Sequence, residues 1–130
     1  MIQVPPNCDL TLGLTRVSHE EGGESVWRAR VDERFANPAG LVQGGFLAAI
    51  ADSAMGAAAV GAAPGRVFVA NTDLRISLLR AVRPGDEITC VARVVRVGRQ
   101  VTFVEARCSD AAGHLVATAS STYLTRERAE

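Results

Sequence analysis

Paired cysteines are missing. The three present in 130 residues, Cys8, Cys90 and Cys108, form no CxxC unit. An odd, widely spaced set implies reduced thiols and excludes both a disulfide frame and a zinc site. Histidine is scarcer still: His19 and His114 are the two, and both fall in polar, turn-like stretches. A histidine-based metal centre is therefore not expected. Net charge is absent as well, with 14 Lys and Arg against 14 Asp and Glu. A nucleic-acid module needs a basic surface to release counterions, so that class is excluded. No P-loop or GxGxxG run occurs. Ser53 precedes no glycine elbow and has no His–Asp pair to activate it, so a serine triad is not expected. The start, Met1-Ile2-Gln3-Val4-Pro5-Pro6, lacks a positive region and an apolar stretch, so no signal peptide is read there. A soluble, cytoplasmic protein is expected.

What is present is a single domain, residues 1–130, with 48% hydrophobic and 22% charged residues. A chain of this length buries roughly two thirds of its unfolded surface, enough for a core without staples. One run dominates: residues 44–63, GGFLAAIADSAMGAAAVGAA, whose single charge is Asp52. About 20 apolar residues suffice for a membrane span. Here, however, Ala and Gly make up most of the run and Asp52 sits near its middle, so no membrane association is expected. Ala favours helix. The segment reads as a helix that is apolar nearly all round and hence buried nearly all round.

The rest reads as strands. Trp27, Ala29 and Val31 alternate with Arg28, Arg30 and Asp32; Thr72, Leu74, Ile76 and Leu78 alternate with Asp73, Arg75 and Ser77. Further strands follow from Ile88 to Val94, from Val101 to Cys108 and from Leu115 to Leu124, parted by turns at Arg83-Pro84-Gly85-Asp86, Gly98 and Asp110-Ala111-Ala112-Gly113. A first, weak strand is expected over Leu10 to Val17, closed by a polar turn from His19 to Glu24. Short connections imply antiparallel pairing. The class is α+β: one curved antiparallel sheet wrapped around one long helix. A single sheet rarely covers such a helix completely, so at least a dimer is expected.

Asp52 carries the most information. An ionised carboxylate in an apolar setting costs several kcal/mol unless it is hydrogen-bonded or paired. A chain that keeps one there uses it as base or nucleophile, or else places it at a solvent-facing stripe or a polar subunit contact. Gly44-Gly45 precedes it. Glycines admit close approach, and free amides at a helix N-terminus favour developing negative charge, although a Gly-Gly pair also makes a plain turn. Asn37-Pro38-Ala39-Gly40 reads first as an Asx turn. Arg80, Arg83, Arg96 and Arg99 read as solvated strand-end charges, or as a set that meets one phosphate-rich ligand.

Together these residues resemble a known family. Asn37-Pro38-Ala39-Gly40-Leu41-Val42-Gln43-Gly44-Gly45, followed by Asp52, is similar to N-x-x-G-x-x-H-G-G-x(6)-D. That is the signature of hotdog-fold acyl-CoA thioesterases of the phenylacetate-pathway (PaaI-like) group. The likeness continues through Asn71-Thr72-Asp73-Leu74-Arg75-Ile76, Arg83-Pro84-Gly85-Asp86, Val97-Gly98-Arg99 and Asp110 to Ala117. The resemblance implies the hotdog fold and hydrolysis of an acyl-CoA thioester without metal or separate cofactor, coenzyme A being part of the substrate. It implies Asp52 as general base or nucleophile, the Gly44 amide as oxyanion donor beside Gly45, and Asn37 orienting the carbonyl or water. Asn71 matches a position that reaches in from the partner subunit. Arg80 and Arg99 are assigned to the phosphates of coenzyme A. Sites at a dimer interface, with dimers paired into a homotetramer, are implied too. Gln43 departs from the pattern, standing where the family carries His: it keeps hydrogen-bonding capacity but cannot titrate. Two other readings are weighed: a noncatalytic acyl-CoA-binding or sensing protein, motivated by Gln43, and a hydratase, which needs an Asp and His pair that the motif here lacks.

Overall fold

Ala and Gly lead the run that begins at Gly44, and in the computed structural model, which describes residues 5–20, 23–63 and 65–127, that run is one 19-residue helix, Gly44–Ala62. A short helix α1 (Asn7–Leu12), strands β1 (Leu14–Glu20) and β2 (Glu24–Arg30) and a 3-10 turn (Glu33–Phe35) precede it. The long helix is therefore α2. Strands β3 (Arg66–Leu78), β4 (Glu87–Val97), β5 (Val101–Ser109) and β6 (Leu115–Glu127) follow. All six strands join one antiparallel sheet in the order β1-β2-β4-β5-β6-β3. The curved sheet around one long helix is the expected class.

Within the single chain the helix is only partly buried, as one sheet alone was expected to leave it. Leu47, Ile50, Ala51, Ala54, Met55, Ala58 and Ala59 are buried, a stripe at steps of three and four that faces the sheet. Most of the opposite face, including Ala48, Ala49, Gly56 and Ala57, is half-buried, and Val60 is exposed. One sheet thus covers one face. Small side chains all round hid that stripe in the sequence. By length and mean hydropathy (1.5) α2 could cross a membrane, yet its apolar stripe packs on Ile88, Cys90, Ala92, Val104, Ala106 and Tyr123 of the core.

The N-terminal expectation also changes. Leu10 to Leu12 is helical, and the first strand begins at Leu14. Gly13, at φ 65°, ends the helix in the left-handed region that glycine adopts freely. Strand pairing continues through His19↔Ser25 to Glu20↔Glu24, so His19, Glu20 and Glu24 belong to the hairpin's strands and not to its turn; residues 21–22 lie outside the described residues.

The alternation in β3 does not translate into burial. Leu74 and Leu78 are 40% and 55% exposed, and Ile76 is half-buried. The cause is position: β3 is the edge of the sheet beside β6, with no strand beyond it among the described residues. An open edge of 13 residues carrying exposed leucines is a surface that natural proteins normally cover.

Candidate functional site

The entry to α2 is held by the loop before it. The Asn37 side-chain oxygen accepts from the Ala39 and Leu41 amides at 2.9 and 3.2 Å, and the Asn37 amide donates to the Leu41 carbonyl at 2.7 Å. Asn37 is thus first an Asx-turn residue. Phe35 stacks on Phe46 with ring centroids 4.4 Å apart, and its carbonyl accepts from the Gln43 amide. The Val42 amide donates to the Val82 carbonyl. Three ties therefore fix Gln43, the N-cap, whose exposed side chain makes no capping hydrogen bond. Among the described residues no carbonyl outside the helix accepts from the Gly44 amide. The first amides of a helix have no partner within it and carry its positive dipole end. A Cβ at Gly44 would run into the Leu78 side chain, whereas one at Gly45 would meet open space.

Asp52 lies two turns further on, half-buried. Its Oδ1 accepts from Asn71 Nδ2 at 3.0 Å and from the Tyr123 hydroxyl at 2.9 Å. The same hydroxyl stands 3.1 Å from the Asp52 carbonyl oxygen. Asn71 Nδ2 also approaches Ser121 Oγ at 3.3 Å, and Ser121 donates to the Asp73 carbonyl at 2.6 Å. Burial, then the negative charge of Asp52 beside it, push the Tyr123 hydroxyl well above the usual phenol range, so it stays a neutral donor. Both donors converge on one oxygen. Oδ2 has no hydrogen-bond partner among the described residues.

Asn71 hydrogen-bonds the Asp52 of its own chain. The sheet register explains it: Asn71 pairs with Tyr123, and a slip between Asn71 and Asp73 is a bulge of the kind that re-aims a side chain. Tyr123 itself was missed by the sequence reading. The available signal was that the chain's single tyrosine sits in an alternating strand, with the pattern placing it inward.

The predicted residues form two groups. Gly44 and Asp52 are eight residues apart on one helix, or ~12 Å along its axis, too far to act on one carbonyl. The arginines divide in the same way. Arg80 follows β3 and its amide approaches the Val116 carbonyl, whereas Arg99 lies in the β4–β5 turn, where Val101 pairs with Leu124. Along β6 those points are roughly 25 Å apart. Both arginines are exposed. Gly44, Gln43, Asn37 and Arg80 thus lie toward one end of the sheet, and Asp52, Asn71, Tyr123 and Arg99 toward the other. Among the described residues no group of three His, Cys, Asp or Glu side chains could hold a metal ion. His114 pairs with Asp110 at 3.2 Å in the β5–β6 turn.

Removing the Tyr123 hydroxyl tests the network. Tyr123→Phe leaves the ring in place and takes one donor from a half-buried carboxylate. Hydrogen bonds to charged groups contribute about 1.5–3 kcal/mol, so urea unfolding should show a loss of that order. An unchanged midpoint would mean the bond is not formed in solution.

A family model described as the thioesterase superfamily matches residues 39–117. A Pseudomonas aeruginosa protein provisionally named an esterase is 33% identical over 95 residues, 72% of this chain and 69% of that one. Among solved structures, the PaaI protein from the phenylacetic acid degradation operon of Escherichia coli superposes with a TM-score of 0.83 at 26% identity, covering 90% of this chain and 82% of that one. The smu.793 protein of Streptococcus mutans, solved bound to acetyl CoA, has the same fold with a TM-score of 0.82 at 22% identity, covering 90% and 91%. The wrapped-helix architecture is the hotdog.

Proposed function

The chain belongs to the thioesterase superfamily, and from that premise we propose that it hydrolyses acyl-CoA thioesters to a carboxylic acid and free coenzyme A. One observation carries the reading. Asp52 is oriented by two neutral donors on Oδ1 while, among the described residues, Oδ2 has no partner and no loop carbonyl claims the Gly44 amide. That is a carboxylate and an oxyanion donor, the two parts that thioester hydrolysis needs.

The two parts meet when two copies lie antiparallel along their helices. Gly44 of one copy then approaches Asp52 of the other, and the arginine ends coincide as well. The open β3 edge and the uncovered face of α2 favour this arrangement. In the resulting site the Gly44 amide holds the thioester oxygen. Asp52 Oδ2 takes a proton from water as the water adds to the carbonyl carbon, or adds to that carbon itself, in which case a water then cleaves the resulting mixed anhydride to the acid and regenerates the Asp52 carboxylate. The tetrahedral intermediate collapses, the C–S bond breaks and the thiolate leaves to be protonated. Arg80 of one copy and Arg99 of the other take the phosphates of coenzyme A; the acetyl-CoA-bound relative supports a ligand of that class. Pairing of dimers into tetramers and a cytoplasmic location complete the proposal.

The test is release of thiol from aromatic and medium-chain acyl-CoAs. Tight binding without release would instead favour the noncatalytic reading, for which the neutral, exposed Gln43 is the motive.

Gln43 gives a further expectation. Its side chain makes no capping bond and stands at the helix entrance beside the Gly44 amide. Gln43→Ala should lower kcat/KM about threefold to tenfold, the worth of one ordinary hydrogen bond. Gln43→His should be tolerated. The wild-type pH–rate profile should show no imidazole-like step, which Gln43→His would add. An unchanged kcat/KM in Gln43→Ala would make the side chain a bystander.

A further inference from the structure

No step above uses Asp9, although it is among the most buried charged groups of the chain. It is 5% exposed on α1, and its Oδ1 accepts from the Ser53 hydroxyl of α2 at 2.8 Å. The Cys8 thiol lies 3.7 Å from the same oxygen. Six residues are too few for a helix to persist by itself. A buried carboxylate is costly without hydrogen bonds, so this contact specifies one docked position for α1. At the other end, Leu12 enters the core and Gly13 stops the helix. Held at both ends, α1 lies against α2 from Ser53 back to its first turns.

Between the two helices runs a groove of about 430 Å³, with Cys8, Thr11 and Leu12 on one wall and Gln43, Phe46 and Ala49 on the other. Gly45 also borders it. Gln43 and Gly45 flank the Gly44 amide, so the groove opens beside the proposed oxyanion position. No charged side chain lines it.

We infer that this groove receives the acyl group of the thioester, with α1 as its specificity wall and the Asp9–Ser53 hydrogen bond as the latch that sets the wall's position. The inference rests on the thioesterase reading and adds the substrate class. A carbonyl held by Gly44 projects its acyl chain past Gln43 and Gly45 into the groove. The volume is near the lower end of the ~300–1,000 Å³ range of ligand pockets, which suits a compact group. Leu12, Phe46 and Ala49 suit an uncharged one. The groove therefore takes uncharged acyl groups in preference to acyl groups with a second carboxylate.

The experiment uses the intact protein and two non-hydrolysable thioethers, S-ethyl-CoA and S-phenylethyl-CoA, measured by calorimetry beside turnover of acetyl- and phenylacetyl-CoA. Ala49→Phe fills the groove. The preference for the larger thioether should fall at least tenfold, because hydrophobic pockets discriminate by about 10–200-fold per misfitted methylene. The phenylacetyl-to-acetyl ratio of kcat/KM should fall with it. Ser53→Ala should lower the same ratios about threefold to tenfold, and Asp9→Asn, which keeps the accepting oxygen, should preserve them. Unchanged ratios in Ala49→Phe would overturn the inference. So would an equal loss for both ligands with an altered elution volume, which would assign the groove to a second copy of the chain. If the wild type releases no thiol but Ala49→Phe still removes the binding preference, the hydrolytic reading fails and the acyl groove stands.

Discussion

Asp52→Asn is expected to lower kcat by about 10²–10⁴-fold, the usual contribution of a general base, in a thiol-release assay. The substitution is chosen to spare the fold. Both donors, Asn71 Nδ2 and the Tyr123 hydroxyl, address Oδ1, which an asparagine retains. The replaced atom is Oδ2, which has no partner among the described residues. Thermal unfolding should therefore shift by no more than a few degrees, and the hydrogen-bonded cluster should survive. Activity above a tenth of wild type would remove Asp52 from the chemistry and with it the mechanism proposed here.

Gly44→Pro should be nearly as costly, at about 10²–10³-fold in kcat, the effect of losing one oxyanion-hole donor. Proline usually disrupts helices, but Gly44 is the first helical residue, where the missing N–H takes no bond within the helix. The preceding Gln43 has φ −60° and ψ 131°, in the region that a following proline requires. The obstacle is the Leu78 side chain, which a Cβ at Gly44 would strike. Leu78→Ala supplies the room and the matched control. In that background the proline should leave circular dichroism unchanged while activity falls. Mixing this inactive chain with the Asp52→Asn chain should restore roughly a quarter of the activity, since random pairing makes half the dimers mixed and each holds one intact site. No recovery would show that Gly44 and Asp52 do not meet across copies.

How much of this was readable in advance follows from the range of each interaction. The α2 boundaries were legible because Gly, Ala and a lone Asp leave few alternatives to a helix over Gly44–Ala62. Strands β4, β5 and β6 were legible from alternation alone. The error at Leu10 to Leu12 arose because Leu10, Leu12 and Leu14 repeat at period two across a helix end, and local pattern cannot reveal that Gly13 turns the chain. Asp52 could be singled out as the one charge in an apolar run. Its setting could not, because Tyr123 lies 71 residues away and Asn71 19 residues away. Asp9 was invisible for the same reason, its partner Ser53 being 44 residues distant. The division of Gly44 from Asp52 needed only helix arithmetic. The division of Arg80 from Arg99 needed the strand register.

The cysteines have a different consequence. Cys8 is exposed, while Cys90 and Cys108 face each other from paired positions on β4 and β5, fully enclosed. The neighbouring Cys108 sulfur and burial push the Cys90 thiol up, away from the reactive thiolate. An alkylating reagent therefore meets one fast thiol and two that it reaches only when the central strands part. The interval between the first and the later modifications is set by the opening of the sheet. The protein carries its own clock for how often its centre comes undone.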